Sequence, residues 1–256
     1  MIVSKLQGGL GNQLFQWAYG KSLSIRYKTS FYIDNSFYQN QSGVTARDFS
    51  LSKFPNIDDK LINTSNLRAM ILRDNFVFKE LNYKEGVDYY LDGYWQSQKY
   101  FISTDSIIRD ILSPSQETIQ NLSKFPTEGS TSIHIRRGDY VTSNGYHPIQ
   151  SMSYYQRALE EIGDYNNLLI FSDDINWCKD NLKFDRMIFI EGNTNVKDLW
   201  TMSLCTNNII ANSSFSWWGA WLNRNLNKKV IAPNNWFGSQ ANLNTSDIIP
   251  SDWIKI

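Results

Sequence analysis

The chain has 256 residues with 25 basic and 25 acidic side chains, split 14 to 13 up to Glu128 and 11 to 12 beyond it, so neither half carries the basic field that nucleic acid requires. The length allows one large domain or two smaller ones with real cores. No apolar run approaches the roughly 20 residues that span a bilayer, and Cys178 and Cys205 lie far apart without metal-ligand spacing, which leaves a soluble, cytoplasmic protein with reduced thiols as the expectation.

Ile2 to Leu6 predicts a short strand, and Gln7 to Gln13 a glycine-rich turn into a helix that runs to about Lys28, with Leu14, Trp17, Ala18, Leu23 and Ile25 near one face. Ser30 to Asp34 completes a βαβ start. Gly9 and Gly11 let the backbone pass close to a bound group, with helix amides available to negative charge; a tight structural turn needs the same glycines. Leu14 stands where the third glycine of a dinucleotide fingerprint belongs. Next come a helix over about 60–73 and strands over 75–81 and 88–95, the last ending in Tyr94, Trp95, Gln96 and Ser97. Such a cluster suits either a sugar-stacking cleft or a core. Helices over 99–112 and 115–125, separated by Ser113-Pro114, close the first half.

Turn residues from Pro126 to Gly129 predict a boundary between units 1–128 and 129–256. In the second unit, strands over 131–135, 167–171, 187–190, 208–211 and 229–232 alternate with helices over 153–162, 175–182, 196–205 and 214–226. That order predicts an α/β fold with a parallel, doubly wound sheet. Polar clusters end four of these strands: His134 with Arg136, Arg137 and Asp139; Ser172 to Asp174; Glu191 to Asn193; and Asn212 to Ser216. A parallel sheet brings them all to one edge, the edge where ligands bind in such folds. Arg136 and Arg137 suit a diphosphate, since a guanidinium fork offers two parallel hydrogen bonds; a structural ion pair between Arg136 and Asp139 is the competing assignment. Asn212, Ser213 and Ser214, with Phe215 following, can cap the next helix or meet phosphate. Asp173 or Glu191 can accept hydrogen bonds from guanine.

Gly8 to Gln13, Asp92 to Tyr100, His134 to Tyr140, Phe171 to Asp174 and Asn212 to Leu222, in this order across most of the chain, together resemble glycosyltransferase family 11, the α-1,2-fucosyltransferases. The segment from His134 to Asp139 is shared more widely among fucosyltransferases, whereas the Ser-Ser-Phe-Ser-Trp-Trp-Gly block is narrower. The resemblance implies a GT-B-like fold of two Rossmann-like lobes. It places an acceptor-side N-terminal lobe before a C-terminal lobe whose parallel sheet binds the donor.

It also implies inverting, metal-independent transfer from GDP-β-L-fucose to the 2-hydroxyl of a galactoside. No cofactor is expected beyond the donor, and His134 and His147 have no ligand partner at useful spacing. Arg136 is then the group that meets charge on the departing β-phosphate, Arg137 holds Asp139 or the loop itself, and His134 either contacts the nucleotide or is a satisfied core histidine. Asp139 is considered as general base, though its guanidinium neighbour weakens it in that role. Asn12 resembles the position that touches the acceptor hydroxyl, and Gln13, Tyr94 and Trp95 are further acceptor candidates. The expected partners are GDP-fucose and an oligosaccharide or lipid-linked glycan. Oligomeric state and peripheral contact with the inner membrane face are left open. Two other readings remain: a transferase for a different GDP-hexose, and a carbohydrate-binding protein without turnover whose arginines hold an acidic sugar.

Overall fold

A computed structural model describes residues 1–143 and 145–256. The chain divides into two compact units, one of Met1–Leu112 with Leu243–Pro250 and one of Ser113–Asn242 with Ser251–Ile256. Residues 113–128, including α3 (Gln116–Leu122), thus group with the second unit rather than the first, and the chain returns to the first unit once before its end.

The first unit is built on β1 (Ile2–Lys5), α1 (Leu10–Tyr27), β2 (Phe31–Asp34), β3 (Lys60–Leu61), β4 (Met70–Arg73) and β5 (Tyr89–Asp92), with α2 (Asp105–Leu112) following. Its sheet is parallel in the order β3-β2-β1-β5-β4. The helix α1 lies very close to this sheet: a Cβ on Gly20 would fall 2.2 Å from Ser4 Oγ and 2.3 Å from the Phe31 ring. Gly20 therefore permits this close helix-to-sheet contact.

Two expectations fail in this unit. The helix over 60–73 is instead β3, a turn and β4. Asn63 explains the break, because its Oδ1 accepts from both the backbone N–H and the hydroxyl of Ser65, an Asx turn that competes with helix. The strand over 75–81 is irregular. Phe76 has a φ of +61°, and the Phe78 N–H donates to Asp247, which also pairs with Lys99. The stretch is pinned to the returning segment instead of to a sheet edge.

The second unit contains β6 (Thr131–Ile135), α4 (Met152–Ile162), β7 (Leu168–Ser172), α5 (Ile175–Asn181), β8 (Met187–Phe189), α6 (Asn195–Leu204), β9 (Asn207–Ile209), α7 (Ser214–Leu222), β10 (Val230–Ala232) and β11 (Ile254–Lys255). Every strand pair is parallel, in the order β11-β10-β9-β6-β7-β8. The alternation in β6 suggests a half-buried strand, yet all five of its residues are buried. A central parallel strand is covered on both faces, so its polar members need internal partners. Ser132 Oγ accepts from Asn208 Nδ2 at 2.7 Å, and His134 Nδ1 pairs with Ser216 Oγ. The tryptophans of α7 are core as well: Trp217, Trp218 and Trp221 are almost wholly buried, and Trp217 packs on Trp253.

Candidate functional site

The register of the second sheet builds the site. Ile135 of β6 is paired with Ser172 of β7, so the residues that follow, Arg136 and Asp173, leave the two strands side by side. Arg136 Nη1 lies 2.8 Å from Asp173 Oδ2, and its Nη2 lies 2.5 Å from Asp139 Oδ1. Its Nε is buried without a partner among the described residues. The ion pair between Arg136 and Asp139 weighed from the sequence is therefore present, and Asp173 joins it.

Arg137 is held differently. Its Nε donates to Asp174 Oδ2 at 3.1 Å, its guanidinium carbon lies 3.8 Å from the centre of the Trp177 ring, and its backbone N–H donates to Asp173 Oδ1 at 2.9 Å. This is a braced side chain, held by Asp174 and the Trp177 ring. Gly138 is required by the same contact, since a Cβ there would fall 2.2 Å from Asp173 Oδ2. Asp173 faces the arginine turn, so this conformation offers it no part in reading guanine.

His134 is 4 % exposed, with its ring 5.6 Å from that of Phe215. Burial, reinforced by the Arg136 charge, pushes its pKa down to about 3, so the imidazole is neutral. Ser213 is the N-cap of α7 in backbone terms, but its side chain makes no capping bond. Asn212 is committed to the fold: Nδ2 donates to the Trp236 carbonyl, Oδ1 accepts from Gln150, and its own carbonyl accepts from Tyr140. It is a structural residue, because both ends of its amide are used within the protein.

Glu191 is exposed and paired with Lys179 at 2.7 Å, which makes it a poor reader of a buried base edge. A carboxylate that the sequence reading passed over lies in the first turn of α6. Asp198 accepts from Asn193 Nδ2 at 3.1 Å, and burial pushes its pKa up to about 6. A half-buried acid with so little compensation for its desolvation is a ligand-site signal. Its position shortly after a strand end was visible in the sequence; its desolvation was not.

In the first unit, Gly8 adopts φ +78° and Gly9 is the N-cap of α1, with Gly11 buried inside the helix. Asn12 Oδ1 accepts from Gln96 Nε2 at 2.9 Å. Gln13 is a correction. It is wholly buried, its Nε2 donates to the carbonyls of Gly8 and Asp48, and its Oε1 accepts from the N–H groups of Ser50 and Leu51. Its amide has no capacity left for a sugar. Trp95 is a second correction, being 5 % exposed and packed between Tyr19 and Tyr100 as part of the core. Tyr94 is less buried and lies near Phe76.

Among the described residues, no group of three or more His, Cys, Asp or Glu is arranged to hold a metal ion, and no helix is long and apolar enough to cross a membrane. Both thiols are free and buried.

The profile of glycosyl transferase family 11 matches residues 44–256. An alpha-1,2-colitosyltransferase of Escherichia coli is 34 % identical over 292 aligned residues, covering 100 % of this chain and 99 % of the relative. A galactoside 2-alpha-L-fucosyltransferase of Caenorhabditis elegans is 26 % identical over 254 residues, covering 88 % of this chain and 70 % of the relative. Among solved structures, the NodZ alpha-1,6-fucosyltransferase soaked with GDP-fucose has a TM-score of 0.52 at 13 % identity, covering 86 % of this chain and 91 % of that one. That likeness is one of fold, the GT-B-like pairing of two Rossmann-like units. With its arginine-bearing strand end on a parallel sheet and a family profile matched over most of its length, the chain belongs to glycosyltransferase family 11.

Proposed function

We propose that this glycosyltransferase moves L-fucose from GDP-β-L-fucose to the 2-hydroxyl of a galactoside in a glycan, with inversion and without a metal ion. The observation that carries the reading is the position of Arg136, a half-buried guanidinium at the carboxyl end of the central strand of a parallel sheet, whose buried Nε has no partner among the described residues. As the bond between fucose and phosphate breaks, charge builds on the β-phosphate. A fixed guanidinium is the group suited to stabilise it. The leading amides of α7, which Ser213 leaves uncapped by its side chain, add donors at the same sheet edge.

Neutral His134 takes the nucleotide as a hydrogen-bonding partner. Asp198 replaces Glu191 and Asp173 as the reader of guanine, because its half-buried carboxylate matches the ring N–H and amino group, a donor pair that adenine lacks. Asp139 remains the candidate proton acceptor. In the first unit, Gly9, Gly11, Asn12 and Tyr94 carry forward the roles that the family resemblance implies.

A second reading has one observation in its favour: the 34 % identical relative is named for colitosyl transfer. A colitosyl group lacks the 3-hydroxyl of fucose, so a site that hydrogen-bonds that hydroxyl would discriminate strongly between the two donors. The test presents GDP-fucose and GDP-colitose separately, with a panel of β-galactosides in EDTA, and reads product by mass spectrometry and linkage by NMR. An α-1,2-fucoside is the expected product. Transfer from GDP-colitose alone would change the donor sugar, a requirement for added divalent metal would remove the metal-independent mechanism, and glycan binding without any transfer would leave a binding protein.

A further inference from the structure

Both ends of the Arg136 fork are already taken, Nη2 by Asp139 and Nη1 by Asp173, while Arg137 pairs with Asp174. Two guanidiniums thus face three carboxylates. A nucleoside diphosphate approaching them as they stand would meet like charge and an occupied fork. Bidentate pairing of Arg136 with phosphate requires one carboxylate to yield.

The two partners of Arg136 are not equivalent. Asp173 follows β7 directly, accepts the Arg137 N–H at Oδ1 and presses Oδ2 against Gly138, so moving it would undo the turn that presents both arginines. Asp139 lies on the 3-10 turn Gly138–Thr142 itself, three residues after its partner, and its side chain is 34 % exposed against 26 % for Asp173. A rotation of that side chain releases Nη2 and leaves Asp173 in place at the end of β7.

We propose that Asp139 is an exchangeable counter-ion of Arg136, holding the guanidinium in the donor-free enzyme and surrendering it to the β-phosphate of the donor, while Asp173 is a positioning residue that keeps the arginine turn in shape in both states. The proposal rests on the reading of this sheet edge as a GDP-sugar site. It makes the two carboxylates opposite in effect: Asp139 competes with the ligand, and Asp173 supports it.

The experiment is calorimetric titration with GDP of the wild-type protein and of Asp139→Asn, Asp173→Asn and Asp173→Ala, with thermal melts to establish that each is folded and Asp139→Ser in reserve. Asp139→Asn should bind GDP about fivefold more tightly, the factor that roughly 1 kcal/mol of a part-exposed ion pair represents. A residue needed only for structure would give a loss instead of a gain. Asp173→Ala should bind more weakly than Asp173→Asn, which keeps an acceptor for the Arg137 N–H, and both more weakly than wild type. If wild type binds GDP and folded Asp139→Asn binds it no more tightly, the exchange is overturned while the donor reading stands. If Asp173→Ala binds as well as wild type, the positioning role falls. Absence of GDP binding by wild type overturns the donor reading and the exchange with it.

Discussion

His134 Nδ1 and Ser216 Oγ stand 2.9 Å apart, tying the central strand of the second sheet to the first turn of α7. The pair sets the height of the helix N-terminus against the strand end that carries Arg136. It also makes the imidazole part of the fold's acid sensitivity.

The folded pKa of His134 is about 3, below the unfolded value of about 6.5. The unfolded chain binds the extra proton between these values, so the stabilisation is complete above about pH 6.5 and is lost as pH falls towards 3. Wild type should therefore lose Tm in that window, and His134→Gln, although less stable at pH 7, should lose less. Asp198 acts in the opposite sense over part of the same range, so the measure is the difference between the two proteins. Parallel Tm curves would show that His134 is not the responsible group.

Asp198→Asn separates stability from donor binding. The folded pKa of Asp198 is raised to about 6, so its ionised form costs stability at higher pH, and the cost disappears below about pH 4, where the unfolded chain is protonated too. The variant should be more stable than wild type at pH 7, and the gain should shrink as pH falls towards 4. It should also bind GDP at least tenfold more weakly, on the order of one lost charge-assisted pair. Undiminished preference for GDP over ADP in this variant would take the reading of guanine away from Asp198.

Removing Arg136 should cost roughly 3–4 kcal/mol of transition-state stabilisation, a few hundred-fold in kcat. Arg136→Lys should recover little, because an ammonium cannot reproduce the fork. Near-normal turnover of Arg136→Ala would remove the residue from the mechanism.

Gln13→Ala should behave as a stability mutant. Its amide joins the Gly8 carbonyl to the backbone of residues 48–51, so truncation strands several buried groups and should cost about 2–4 kcal/mol. The expected result is a lower Tm with unchanged acceptor KM in the folded fraction. A raised KM without loss of Tm would return Gln13 to the acceptor site.

The alternation of strands and helices after Thr131 was legible in the residue pattern, as was the gathering of polar clusters at one edge of a parallel sheet. Both follow from local periodicity and from the rule that the carboxyl ends of parallel strands share a side. The same local logic failed between Lys60 and Leu81, where an Asx turn at Asn63 and the distant Asp247 override propensity.

That Asp173 and Asp174 join the arginines, that Gln13 and Trp95 are interior, and that Asp198 is partly withdrawn from water were decided by tertiary structure alone. Each depends on groups remote in sequence that the fold brings within hydrogen-bonding reach or uses to exclude solvent. Residue order determined the chemistry available at the sheet edge. Packing distributed it, because partner choice and desolvation belong to the assembled chain and not to any single stretch of it.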